Sequence, residues 1–243
     1  MLFYQPLVDL RLSRLVGWEA LARWHQPEIG LIGPDRFIPL AETEGLMAAL
    51  TERVLNLAVE EMSRWEPGRL GDSFVSVNFS ATDLKDAQFP DRLERLCRKH
   101  GVAPARLRLE LTETAAMGET VRFVEVLTRL RVKGFQLAID DFGTGYSSLV
   151  QLHRLPFSEL KIDQTFVRGM ATSEEAAIIV SAIISLGHSL RLELVAEGVE
   201  DGVTADLLKA AGCEVAQGYH FSRPMPPQDI ARWCESNPHL MEK

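Results

Sequence analysis

Asp140 and Asp141 stand side by side at the end of the apolar run Phe135-Gln136-Leu137-Ala138-Ile139, and Phe142-Gly143-Thr144-Gly145 follows at once. A run of that length reads as a buried strand. Burying one ionised carboxylate without a partner is costly, and burying two adjacent ones costs more. A divalent cation is the simplest agent that makes such a pair tolerable, and the glycines beyond it let the chain turn. The pattern points to metal-dependent chemistry at a strand end.

Other polar residues fall at comparable places. Glu19 follows Leu15-Val16-Gly17-Trp18, and Asn78 ends Phe74-Val75-Ser76-Val77. Glu110 lies in Leu107-Arg108-Leu109-Glu110-Leu111-Thr112-Glu113. Lys161 and Asp163 bracket Ile162, Glu197 ends Leu194-Val195-Ala196, and Gln217 follows Val215-Ala216. Positions 78, 110, 140, 161, 197 and 217 recur at intervals close to one βα unit of roughly 30 residues or somewhat less. Carboxylates and an amide oxygen are hard ligands, suited to Mg2+ or Mn2+. The carboxylates of Glu19, Glu110, Asp140, Asp141 and Glu197 exceed the needs of one ion, whereas two ions roughly 3.5–4 Å apart would use them well. The histidines are scattered without paired zinc spacing. Taken singly, Glu19, Asn78, Glu110 or Lys161 reads as a solvated or capping residue; taken together at strand ends, they read as a site.

The elements that must carry these residues alternate. Strand-like runs at 3–10, 15–21, 74–78, 107–111, 135–140, 160–162, 192–196 and 214–219 are separated by helix-like runs at 34 onward, 54–62, 84–100, 121–133, a short one from 147, 174–190, 203–211 and 227 onward. Gly101, Gly134 and Gly212 close three of the helices. Eight strands alternating with helices favour a (β/α)8 barrel over a doubly wound open sheet. No dinucleotide fingerprint or P-loop opens any helix.

The 243 residues suit one large domain, and the abrupt first strand suggests one module of a longer protein. A net charge of -8 argues against a nucleic-acid polymer or an anionic membrane as the main partner. It leaves room for a small phosphorylated ligand brought in through bound metal. Cys97, Cys213 and Cys234 are far apart and odd in number, as expected of reduced thiols in the cytoplasm. No apolar stretch is long enough to span a bilayer, although a parent protein could be membrane-attached through segments outside 1–243.

At this point the motifs resemble a known family. Glu19-Ala20-Leu21, within Gly17-Trp18-Glu19-Ala20-Leu21-Ala22-Arg23-Trp24, is similar to the signature that names the EAL family of bacterial cyclic di-GMP phosphodiesterases. Tyr4-Gln5-Pro6, Ser76-Val77-Asn78-Phe79-Ser80 and Glu110-Leu111-Thr112-Glu113 agree with it. So do Asp140-Asp141-Phe142-Gly143-Thr144-Gly145-Tyr146-Ser147-Ser148, Lys161-Ile162-Asp163, Ala196-Glu197-Gly198-Val199-Glu200 and Gln217-Gly218-Tyr219. The resemblance covers 1–243 in order, as a single domain. It departs at Ala22, at His25-Gln26, at Asp201 where threonine is common, and at His220, none of them an expected metal ligand.

The resemblance implies a modified (β/α)8 barrel, α/β in class, whose first strand runs antiparallel. It implies that Glu19, Asn78, Glu110 and Asp140 hold one Mg2+ or Mn2+, and that Asp140, Asp141 and Glu197 hold a second. Lys161 would orient or help deprotonate the attacking water. Asp163, Glu200 and Gln217 would support the metal-bound waters and ligands. Glu113 would anchor the 141–148 loop, which would lead to a homodimer interface. Arg23 would contact a substrate phosphate, and Gln5, Phe221 and Pro224 would lie near a guanine. The implied reaction is hydrolysis of cyclic di-GMP to linear pGpG, with sensor or GGDEF domains attached in a longer parent. Two alternatives stay open: a module that binds the dinucleotide without cutting it, and a barrel enzyme of another class such as a Mg2+-dependent enolising enzyme.

Overall fold

The computed structural model describes residues 1–66, 70–116, 120–145, 152 and 154–241. Ten strands are present among them: β1 Leu2–Asp9, β2 Arg14–Ala22, β3 Trp24–Gln26, β4 Gly30–Ile32, β5 Phe74–Asn78, β6 Leu107–Thr112, β7 Gln136–Phe142, β8 Glu159–Ile162, β9 Glu193–Ala196 and β10 Val215–Ala216. Eight of them close a barrel in the order β1-β10-β9-β8-β7-β6-β5-β2. β1 is antiparallel to both neighbours, and all other barrel pairings are parallel. The reversed first strand is therefore as expected, and its reversal sets Gln5 directly opposite Glu19.

Side chains alternate across the barrel wall. In β6, Leu107, Leu109 and Leu111 are wholly buried under the helices, while Arg108, Glu110 and Thr112 take the other face. β8 repeats this, with Leu160 and Ile162 alternating with Glu159 and Lys161. The interior is thus layered, as barrel interiors are. One layer holds Phe74 and Arg108, whose guanidinium lies over the Phe74 ring and pairs with Glu159 and Glu193. The next layer toward the C-terminal ends of the strands carries Glu110 and Lys161, and above it the polar residues open to the surface.

The helices begin and end where their sequences dictate. Thr120, Ser173 and Asp201 accept backbone N–H bonds at the starts of Val121–Val132, Glu174–Ser189 and Gly202–Ala211. Asp201 thus does the capping that a threonine could do. Gly101, Gly134 and Gly212 all adopt the left-handed conformation expected of helix stops.

Two expectations need correction. The helix expected over 84–100 is a 3-10 turn at Asp83–Lys85 followed by an α-helix at Phe89–Lys99, because Asp86 is extended between them and Pro90 takes a first-turn position, where its missing N–H costs nothing. The β3–β4 hairpin was not anticipated, since three-residue strands are too short to show a period. The short helix expected from 147 lies outside the described residues.

Candidate metal centre and active site

β7 and β8 fall out of register between Ile139 and Phe142. Asp141 sits at that irregularity with φ 55°, a left-handed conformation uncommon outside glycine. The break matters because adjacent residues of a regular strand face opposite ways. Here ligand oxygens of Asp140, Asp141 and Glu197 all lie within 4.8 Å of one another. Backbone strain of this kind is typical of functional sites.

Lys161 occupies the centre of the other expected ligand set. Its wholly buried Nζ lies 2.6 Å from Glu197 Oε1, 2.8 Å from Glu110 Oε2, 3.1 Å from Asp140 Oδ1 and 3.7 Å from Glu19 Oε1. Asn78 Nδ2 donates to Glu19 Oε1 at 3.1 Å and to Glu110 Oε2 at 3.4 Å. Gln217 Nε2 donates to Glu19 Oε2 and, at 2.9 Å, to Gln5 Oε1. Gln5 Nε2 in turn donates to the Ser222 carbonyl at 2.9 Å.

The charges strain against burial. Burial alone would discharge Lys161, but Asp140, Glu110, Glu19 and Glu197 outweigh it and hold the ammonium protonated well beyond its ordinary range. Burial pushes Glu110 up to about 8 against the pull of Lys161, with Glu19 and Asp140 adding to the rise. Glu197 is raised for the same reasons. Asp141 rises to about 6 through burial and then through the charges of Asp140 and Asp163.

The residues fit a hard divalent cation. The donor set is all oxygen, it is short of positive charge, and Glu110 Oε1 is buried with no hydrogen-bond partner among the described residues.

The remaining expected residues divide. Glu113 is buried, and its Oε2 accepts from the amides of Gly143 at 2.8 Å and Gly145 at 3.2 Å, so it ties down the start of the 141–148 loop; residues 146–148 lie outside the described residues. Asp163 accepts from Thr165 N at 2.8 Å and caps the short helix Gln164–Val167. Arg23, Gln5 and Pro224 line a cavity of about 270 Å³ together with Glu19, Asp140 and Glu197. Arg23 Nη1 donates to the Ala22 carbonyl at 2.9 Å. Phe221, expected near a guanine, lines a groove shared with Val8 and Leu240, after the chain turns back at Gly218. Its ring packs edge-on against His220. Glu200 lines the cavity and pairs with Arg168 at 3.0 Å.

Sequence reasoning missed Gln164, Arg168 and Tyr219, which also line this cavity. Arg168 ends the helix that Asp163 begins, and an aspartate cap after a buried strand is the signal that could have found it.

Comparison with known proteins agrees with the geometry. The bifunctional diguanylate cyclase/cyclic di-GMP phosphodiesterase MucR of Pseudomonas aeruginosa is 42% identical over 94% of this chain and 33% of its own length. The cyclic di-GMP phosphodiesterase PA2567 of the same organism is 38% identical over 96% of this chain and 39% of its own. The chain thus spans well under half of these relatives. A solved structure described as the PaMucR phosphodiesterase in complex with c-di-GMP superposes with a TM-score of 0.89 at 42% identity, covering 95% of this chain and 93% of that one. The EAL domain family model matches residues 1–224, and the chain belongs to that family.

Proposed function

We propose that this chain hydrolyses cyclic di-GMP to linear pGpG with two divalent cations, Mg2+ or Mn2+. The observation that carries the reading is the oxygen cluster around Asp140, with its buried unpartnered Glu110 oxygen. Glu19, Asn78, Glu110 and Asp140 would hold one ion; Asp140, Asp141 and Glu197 would hold the other. Bound ions of this kind activate water near neutral pH and offset charge on the attacked phosphate.

The chain's own residues do the rest. Lys161, whose Nζ lies 2.8 Å from Glu110 Oε2 and 2.6 Å from Glu197 Oε1, would orient or help deprotonate the attacking water. Gln217 fixes Glu19 and Gln5 relative to each other. Arg23 takes a phosphate oxygen, which suits its forked donors. Gln5 and Pro224 flank the space for a guanine. The new bond joins water oxygen to phosphorus, the P–O3′ bond breaks, and a proton passes to the departing O3′.

The loop anchored by Glu113 gives the reading a route to a homodimer. A Cβ at Gly143 would meet Phe166 at 2.7 Å and Ile183 at 3.5 Å, so the loop rests on the helix Glu174–Ser189. That helix exposes Ile178, Ser181, Ala182 and Ser185, with no charge between Glu175 and His188. Further sensor or GGDEF domains in a longer parent belong to the same reading, as does a cytoplasmic location; among the described residues no helix is long and apolar enough to cross a membrane.

Incubation with cyclic di-GMP and each metal, followed by product analysis, tests the proposal. Linear pGpG is expected with Mg2+ or Mn2+ and none after chelation. Tight binding without product would assign the chain to the binding modules instead.

A further inference from the structure

We propose that Arg168 binds the second phosphodiester of the cyclic dinucleotide, the one that is not cut, and that Glu200 presents its guanidinium for that contact. The inference rests on the cyclic di-GMP reading above.

A cyclic dinucleotide carries two phosphodiester charges on opposite sides of its ring. Cutting one beside the oxygen cluster leaves the other facing a pocket rich in carboxylates, where it needs a cation of its own. Among the described residues four cationic side chains reach this region, of which Arg223 lies over the Tyr219 ring, 4.2 Å from its centroid. Lys161 is wholly buried and committed to four carboxylates. Arg23 follows β2 and Arg168 follows β8, and both line the same cavity of about 270 Å³. In the barrel order β2 and β8 are separated by β1, β10 and β9, which sets them across the eight-stranded ring from one another. Two guanidiniums therefore flank the cavity from opposite sides, with Asp140 and Glu197 also in its wall. That is the arrangement a ligand with two separated phosphodiesters requires.

Arg168 is mounted firmly. Asp163 caps the helix Gln164–Val167, and Arg168 N donates to the Gln164 carbonyl at 3.0 Å. Gly198, at φ 68°, lies so close that a Cβ there would come within 2.4 Å of Gln164 Cβ. Only glycine allows this approach, which brings the 197–200 turn onto the helix and Glu200 Oε1 to 3.0 Å from Arg168 Nη2. Both side chains of the pair are about half exposed. An exposed pair of this kind contributes little to stability, so holding the fold is a poor account of it. A guanidinium has five donors, enough to keep Glu200 and accept a phosphate at once. Lys161 and Arg168 also lie on one short run, so the segment that sets the reacting end sets the distal end as well.

The test compares two substrates. Bis(4-nitrophenyl) phosphate has one phosphodiester and no second charge to hold. Arg168→Ala is expected to raise KM for cyclic di-GMP about tenfold, the loss of one charge-assisted contact, with kcat changed by about twofold or less. For the chromogenic diester, kcat/KM should change far less, so that the preference for cyclic di-GMP falls about tenfold. Arg168→Lys should recover part of the KM. An unchanged KM for cyclic di-GMP, or equal losses on both substrates, would overturn the assignment. Wild-type protein that cuts the chromogenic diester but not cyclic di-GMP would instead sink the substrate reading beneath it.

Discussion

Lys161 Nζ lies 2.6 Å from Glu197 Oε1 inside the barrel, and it is the cation that three further carboxylates share. Replacing it with methionine keeps the volume but leaves those buried acids uncompensated. Removing one partner from a buried ion pair costs about 3–5 kcal/mol, and the metal-free Lys161→Met protein should lose stability on that order. Mg2+ or Mn2+ should raise its melting temperature more than that of wild type, and cyclic di-GMP turnover should fall at least about 100-fold. Calorimetry with and without metal checks this; an unchanged metal-free melting temperature would remove the counter-charge role.

Asp141 offers a pH test. Its pKa in the fold, about 6, is above the ordinary carboxylate range, so the folded state disfavours its ionised form. The stability linked to this group is fully present below its unfolded pKa near 4 and is lost as pH rises through about 6. Asp141→Asn tolerates the same left-handed backbone and carries no charge. Without metal, the variant should be more stable than wild type by about 1 kcal/mol above pH 6, after allowing for solvent screening at this half-buried carboxylate, and equal to it near pH 4. Its hydrolysis should be lost. Denaturant midpoints at the two pH values decide, and a gap that does not change with pH would contradict the account.

Glu113 gathers the amides of Gly143 and Gly145 onto one carboxylate oxygen. Glu113→Ala strips both amides of their acceptor; Gly143 and Gly145 are exposed, so water can take its place and the cost is about 0.5–1.5 kcal/mol for each bond. Activity should fall with little change at the Asp140–Glu197 cluster. Ile178→Asp on the neighbouring helix should yield a monomer if the homodimer forms there. Sedimentation of both variants, beside their kinetics, tests the link; identical association and rates in both would break it.

The polar residues that the barrel gathers at its C-terminal end were legible in the sequence because a parallel barrel delivers about one polar strand end per βα unit, and spacing records that. The direction of β1 was not legible from periodicity, since a strand has the same alternation whichever way it runs; only the family resemblance implied it. Its consequence, Gln5 opposite Glu19, appears only in the register. Two adjacent aspartates suggest a metal, but that their carboxylates converge with that of Glu197 depends on the irregularity in β7 and the φ of Asp141, which no residue type announces. The groove that Phe221 lines with Val8 and Leu240 follows from the turn after Gly218, which residue spacing does not record. Glu200 pairs with Arg168, which lies in a segment with no motif of its own beyond the Asp163 cap, so spacing does not announce the pair.

Residues beyond 224 lie outside the family match but are built into the fold. Met225 exchanges backbone hydrogen bonds with Tyr4, at 2.7 and 2.9 Å, along β1. The helix Pro227–Ser236 then lays Trp233 edge-on against the fully buried Trp18, with ring centroids 5.3 Å apart, beside Trp65. Trp233→Ala removes a large aromatic from this cluster and should cost roughly 3 kcal/mol, near the low end for such truncations because Trp233 is only partly buried. The site is reached through Gln5 and Glu19 on the inner face of the same two strands, so kcat of the folded fraction should stay within about twofold of wild type while unfolding comes several degrees earlier. Chemical denaturation paired with turnover at low temperature separates the two effects. A variant that melts like wild type, or one that loses activity while still folded, would show that the C-terminal helix does not act as a clamp on the outside of β1 and β2.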